Sequence, residues 1–242
     1  MFHPDKIKNI PSHYNVLEIG PGGYPHPRSN VLLEKLFDND EMALAQRGYA
    51  TPHKSPQKTV YYKGGRFPFN DLEFDYVICS HVIEHIPQED LDLFIEELMR
   101  VGKRGFIEFP TVFYELINYQ DVHLWLMNYR RGEMVFMDKN LFQSSCIHRI
   151  FREMFYGKDK YMAQSFVRYR DLFFHAFEWD GIVNYRIVDE YDQLVNEDDF
   201  RRYQKYFAEY KHVPTLTGIF KFSVTKLKQI FRKLAQHVSC IF

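Results

Sequence analysis

The sequence predicts an α/β fold built on a mostly parallel sheet, and three observations carry that prediction. Short apolar runs with the character of buried strands recur at Val16–Ile19, Val31–Leu33, Phe74–Cys79 and Gly105–Phe109. The first of them runs straight into the glycine-dense turn Gly20-Pro21-Gly22-Gly23. An amphipathic helix is well signalled from Gln88, between the last two runs. Strands that are apolar throughout, alternating with helix and glycine turns, belong to parallel sheets with helices on their faces.

Composition sets the bounds. A chain of 242 residues is long enough for one large α/β domain or a domain with a cap. The hydrophobic fraction of 45% supplies a substantial core, and the aromatic fraction of 17% leaves rings over to line a pocket. The net charge of −1 gives no electrostatic footprint for nucleic acid, so no nucleic-acid partner is expected. Cys79, Cys146 and Cys240 are odd in number, far apart and form no CxxC pair; a disulfide framework or structural zinc site is not expected, and a reducing, cytoplasmic setting is. Met1–Pro11 is polar, without the apolar stretch of a signal peptide, and no run of about 18 apolar residues is present to span a membrane.

Taken in order, residues 1–14 are a polar lead-in and Val16–Ile19 is the first strand. Pro25 and Pro27 follow the glycine turn and forbid a regular helix there. Val31–Leu33 ends at Glu34, residues 38–58 read as loop with one or two helical turns, and Thr59–Tyr62 is β-prone up to Gly64-Gly65. After Phe74–Cys79, the helix from Gln88 has acidic residues in its first turn, where the helix dipole favours them, and Leu91, Phe94, Ile95, Leu98 and Val101 at 3–4 spacing. Gly102 stops it, and Gly105–Phe109 is the next strand, closed by Pro110. Residues 111–165 read as mostly helical and aromatic, a cap over about 111–170, without strand rhythm until Met134–Phe136. Leu172–Phe177 and Val183–Val188 read as two strands joined at Asp180-Gly181, a pair that adds an antiparallel edge to the sheet. Asp198–Tyr210 is a helix, and the tail carries Val224, Leu227, Phe231, Leu234 and Val238 with basic residues between them. This basic amphipathic helix, 220–238, either packs on its own domain or meets an anionic membrane surface as a peripheral contact. The division expected is 1–190 for the main domain and 191–242 for a helical extension.

The glycine turn decides the class of ligand. A dinucleotide fingerprint needs a third glycine where Pro25 stands, and a helix that Pro25 and Pro27 prevent. A phosphate-binding Walker loop is excluded, since no GK[ST] follows. Glu18, Gly20 and Gly22 instead match the [DE]-x-G-x-G of motif I in class I S-adenosylmethionine (SAM)-dependent methyltransferases. Phe67-Pro68-Phe69 through Phe74-Asp75-Tyr76-Val77 resembles the LPF…FDxV run of the methyltransferase type 11 group, and Ser80–Ile86 resembles that group's segment after the fourth strand. Arg100–Gly105 stands where those enzymes turn into their fifth strand.

The resemblance implies a Rossmann-like methyltransferase core with SAM as cofactor. It implies that Glu18, Gly20, Pro21, Gly22 and Gly23 cradle the methionine end. Glu34 would accept hydrogen bonds from the ribose hydroxyls, and Ser80 and His81 would border the sulfonium. This chain departs from the pattern in lacking the first helix and in placing Lys63-Gly64-Gly65 where relatives carry an acidic residue for adenine, so the adenine falls to backbone groups of Gly64 and Gly65.

A methyl already activated on sulfur needs mainly an acceptor held in line, and a hydroxyl acceptor gains from a base. His81, His85 and His123 are the candidate bases, because histidine exchanges protons near neutral pH. The order His-x-x-Glu-His from His81 to His85 is also that of a zinc hydrolase motif, but that reading needs one helix through all of it, and a strand precedes it while Pro87 follows; no metal site is predicted. The function expected is SAM-dependent methylation of oxygen on a small molecule or glycan. The alternative is a non-catalytic binding or scaffold protein that keeps the fold and uses its basic tail on a membrane or a partner.

Overall fold

A computed structural model of the chain describes residues 1–47, 56–141 and 166–209. Five parallel strands form its centre: β1 (Val16–Ile19), β2 (Val31–Lys35), β3 (Lys58–Tyr62), β4 (Tyr76–Ser80) and β5 (Arg104–Pro110). With the antiparallel β8 (Phe174–Asp180) they make a six-stranded sheet in the order β3-β2-β1-β4-β5-β8. The strand order reverses direction at β1, with β2 on one side and β4 on the other, and ligands of open α/β sheets bind at the carboxyl ends of strands at such a switch point.

Burial explains the strand sequences. Val16, Leu17, Ile19, Val77, Ile78 and Cys79 are each at most 1% exposed, so β1 and β4 are covered on both faces and are apolar apart from Glu18 and Ser80. Helix α1 (Asp40–Arg47) follows β2, and α2 (Gln88–Val101) follows β4. Helix α2 buries Leu91, Phe94, Ile95, Leu98 and Val101, the stripe read from the sequence, and Gly102 caps it by donating its N–H to Leu98 O at 3.2 Å. Residues 20–30 contain no helix, as the two prolines require.

The cap differs from the expectation of a helical segment. Helix α3 (Val112–Ile117) is short, and β6 (Trp125–Arg130) and β7 (Glu133–Asp138) form a hairpin turning at Arg131-Gly132, both with positive φ. Strand β9 (Tyr185–Val188) joins the other edge of β7 in parallel, giving a second sheet β6-β7-β9. The Asp180-Gly181 turn therefore does not close a hairpin: β8 fills the antiparallel edge beside β5, and β9 leaves for the second sheet. The reason lies in β7, whose Met134, Val135, Phe136 and Met137 are all buried and take a strand on each side. Residues 142–165 of the expected cap lie outside the described residues, as does the basic segment 220–238.

The chain divides into two compact units, Met1–Asn196 and Glu197–Phe242. The described part of the second is one helix, Glu197–Glu209. Among the described residues no helix is long and apolar enough to cross a membrane.

Candidate active site

Gly20 leaves β1 with φ +56°, and a Cβ there would lie 2.6 Å from Val82 Cγ2. Both the conformation and the close approach require glycine. Gly22 also has a positive φ, +63°. The loop beyond is fastened by Glu18, whose Oε2 accepts the His26 N–H at 2.7 Å and the Ser29 hydroxyl at 2.6 Å. Burial pushes the Glu18 carboxyl up from its ordinary pKa, against the pull of Ser29 and His26. Arg28 completes the fastening by donating from Nη2 to Pro11 O at 2.7 Å.

Two cavities flank this turn. One, of about 410 Å³, runs past Gly20 and Glu34 to Tyr62 and Lys63. The other, of about 710 Å³, runs past Glu18 and the glycine turn to Ser80, Glu84 and His123. They meet at Gly20, Gly22, Gln46, His81 and His85. Gly64 and Gly65 line neither: they form an exposed turn with φ +105° and +74°, and the wall at that place is Tyr62 and Lys63. The backbone contact to adenine expected of the two glycines therefore has no counterpart in these cavities.

His81 follows β4 with φ +57°, a conformation costing a non-glycine residue about 1–2 kcal/mol. That conformation lets its N–H pair with Glu108 O at 2.9 Å and sets its ring between two buried carboxylates. Nε2 lies 3.1 Å from Glu108 Oε1, and Nδ1 lies 3.4 Å from Glu84 Oε1. Burial disfavours charge on His81, but Glu108 and Glu84 outweigh it and raise its pKa well above the ordinary value, while His81 holds both carboxyls below theirs against their own burial. The raised pKa favours a charged ring that points its N–H groups at Glu108 and Glu84, which weighs against His81 as the base. Glu108 also accepts the backbone N–H groups of Phe2 and His3 at 2.8 and 2.6 Å and the Ser80 hydroxyl at 2.9 Å. Ser80 is thereby turned toward Glu108 at the cavity edge.

His85 and His123 come together because the start of β6 is pinned to the turn at Ile83–His85. Leu124 N–H donates to Glu84 O at 2.8 Å, and the Trp125 indole donates to Ile86 O at 2.7 Å. The two imidazoles stand 4.7 Å apart, nearly perpendicular. His85 donates from Nδ1 to Val122 O at 3.0 Å, and burial pushes its pKa down, so the ring is neutral with Nε2 as acceptor. His123 donates from Nδ1 to Glu115, a buried carboxylate also held by Lys139 Nζ at 2.6 Å. Sequence reasoning missed Glu108 and Glu115, and met Glu84 only within the His-x-x-Glu-His order. A buried strand interrupted by glutamate, as in Phe106-Ile107-Glu108-Phe109, was the available signal for one of them.

The sequence profile of the type 11 methyltransferase family, described as a methyltransferase domain, matches residues 37–107. Residues 37–107, from just after β2 into β5, are thus similar to a methyltransferase domain of the type 11 kind. SAM is its expected cofactor. The residues present suit it: a glycine turn that a Cβ would fill, a carboxylate, Glu34, at the end of β2, and two joined cavities for an elongated ligand.

No curated protein sequence matches the chain. Among solved structures it is similar to a SAM-dependent methyltransferase from Methanosarcina mazei, at 12% identity and TM-score 0.33 over 53% of this chain and 72% of that one. A SAM-dependent methyltransferase from Mesorhizobium loti is similar at 12% identity and TM-score 0.31, over 52% of this chain and 58% of that one. A putative methyltransferase from Bacillus halodurans is similar at 16% identity and TM-score 0.35, over 72% and 92%.

Proposed function

We propose that the chain transfers the methyl group of SAM to an oxygen of a small molecule or glycan. The observation that carries this reading is the junction of the two cavities, where His85 presents a neutral ring beside the glycine turn. SAM supplies a methyl group already activated on a sulfonium. Glu34 takes the ribose hydroxyls in the smaller cavity. Glu18 meets the methionine ammonium through Oε1, its Oε2 being engaged by His26 and Ser29. The acceptor enters by the larger cavity, past Tyr114 and Phe174. His85 Nε2 takes the hydroxyl proton, its Nδ1–H remaining on Val122 O. The rings of Phe2, Tyr114 and Phe174 on the wall of the larger cavity support a small acceptor that can lie against them.

The test is calorimetric titration of the folded chain with SAM and S-adenosylhomocysteine, followed by incubation with methyl-labelled SAM and sets of phenols, sugars and glycans. Micromolar binding with label transferred to oxygen is the expected result. Folded protein that binds neither ligand would instead be a scaffold that keeps the fold.

A further inference from the structure

We propose that Glu84, His85 and His123 form a divalent metal site on the floor of the larger cavity, for a first-row transition ion such as Zn2+ or Mn2+. One ligand atom from each of the three lies within 4.8 Å of those of the others, the spread of a site that can close on one ion. All three residues line the same cavity, next to Gly20, Gly22 and Ser80.

The outer partners are those a metal site uses. A ligating histidine ordinarily donates its second ring N–H to a carbonyl or a carboxylate, which fixes the ring and leaves the other nitrogen for the ion. His85 does this on Val122 O and His123 on Glu115, so both keep Nε2 for a ligand. Glu115 is itself held by Lys139, which gives the chain Lys139–Glu115–His123 a fixed direction.

An independent observation comes from Glu84. It is 0% exposed, yet among the described residues neither carboxylate oxygen has a hydrogen-bond partner. Desolvating a carboxylate without hydrogen bonds is costly. His81 at 3.4 Å and His123 at 4.0 Å approach Oε1 only at ion-pair distance. A cation between Glu84, His85 and His123 would satisfy it. Two imidazoles and one carboxylate suit ions of the Mn2+ to Zn2+ series better than Mg2+ or Ca2+, which prefer oxygen ligands throughout. Three protein ligands also leave positions open for an outside oxygen.

The metal site stands on this geometry alone; that the open position takes the acceptor's oxygen rests on the methyl-transfer reading. In that arrangement His85 positions the acceptor through the ion rather than by taking its proton.

The full chain, stripped with a chelator, is titrated with Zn2+, Mn2+ and Mg2+ by calorimetry, and separately with Co2+ while its visible absorption is followed. The expected result is one Zn2+ or Mn2+ per chain, at least 10-fold tighter than Mg2+, with Co2+ bands of an N2O site. His123→Ala and His85→Ala should each weaken binding at least 10-fold; Glu84→Gln should do the same where it folds, as circular dichroism will show. Absence of stoichiometric binding, or binding that survives both histidine substitutions, overturns the proposal. Affinity for S-adenosylhomocysteine is measured on the same metal-free protein: its retention without metal binding removes the metal site and leaves the methyltransferase reading in place, and metal binding without it does the reverse.

Discussion

At the amino ends of the strands, acidic groups are met by full cations. Lys103 donates to Asp75 at 2.7 Å, and Arg100 donates to Glu97 and Asp71 and to the carbonyls of Phe67 and Phe69. At the carboxyl ends, Glu18, Glu84 and Glu108 are buried as Glu97 is, yet the partners found among the described side chains are hydroxyls and histidines, with backbone N–H groups. Glu97 and Glu84 make the contrast sharpest. Glu97 is 3% exposed, with Arg100 on both oxygens and the Phe67 N–H on one; Glu84 is 0% exposed and its carboxylate accepts no hydrogen bond from the described residues. A carboxylate bonded on both oxygens belongs to the framework, and one that has only His81 and His123 at ion-pair distance keeps lone pairs for a ligand.

The largest effect is expected at the framework end. Among the described residues, Arg100→Ala leaves buried Glu97 with only the Phe67 N–H and the Arg66 guanidinium at 3.9 Å, and should cost about 3 kcal/mol, read as a lowered urea midpoint. At the other end Glu34→Gln should weaken S-adenosylhomocysteine binding about 10-fold by calorimetry, through loss of charge-assisted bonds worth about 1.5 kcal/mol or more, while the urea midpoint falls far less than in Arg100→Ala. Equal stability losses in the two variants would erase the distinction between the ends.

Acid sharpens the same contrast. Burial alone would raise the Glu97 carboxyl, but Arg100 and the Phe67 N–H hold it below its ordinary value. A lowered folded pKa adds stability above the unfolded carboxylate pKa, near 4.3, which is lost as the pH falls through the folded value. The stability gap between the parent chain and Glu97→Gln should therefore be full at pH 6 and close progressively below pH 4, as urea melts at each pH will show. The smallest effect belongs to Lys103→Ala, since Lys103 is 56% exposed: about 1 kcal/mol or less, fading further in added salt.

The parts of the fold legible in the sequence are those fixed by local pattern. The apolar runs of β1 and β4, the stripe of α2 and the prolines after the glycine turn each state their structure within a few residues. Strand β6 was not legible, because it mixes Asn128 and Arg130 with apolar residues; β9 was legible as a strand but its partner was not, because it answers an edge of β7 far away in the chain. The site divides in the same way. Gly20 and Glu34 follow from motif and strand end, whereas the meeting of His123 with Glu84 and His85 depends on Leu124 and Trp125 closing onto the turn before α2.

The loop that replaces a helix after β1 bears on the sign of charge the pocket selects. A helix starting at the glycines would point backbone N–H groups and a partial positive charge at the ligand, an attraction for phosphate. Here the chain turns away through Pro25 and Pro27, and the charge left at the mouth of β1 is the Glu18 carboxylate. Such a mouth should favour an ammonium and a sulfonium over a pyrophosphate, so the expected consequence of the missing helix is selection against phosphorylated adenine nucleotides.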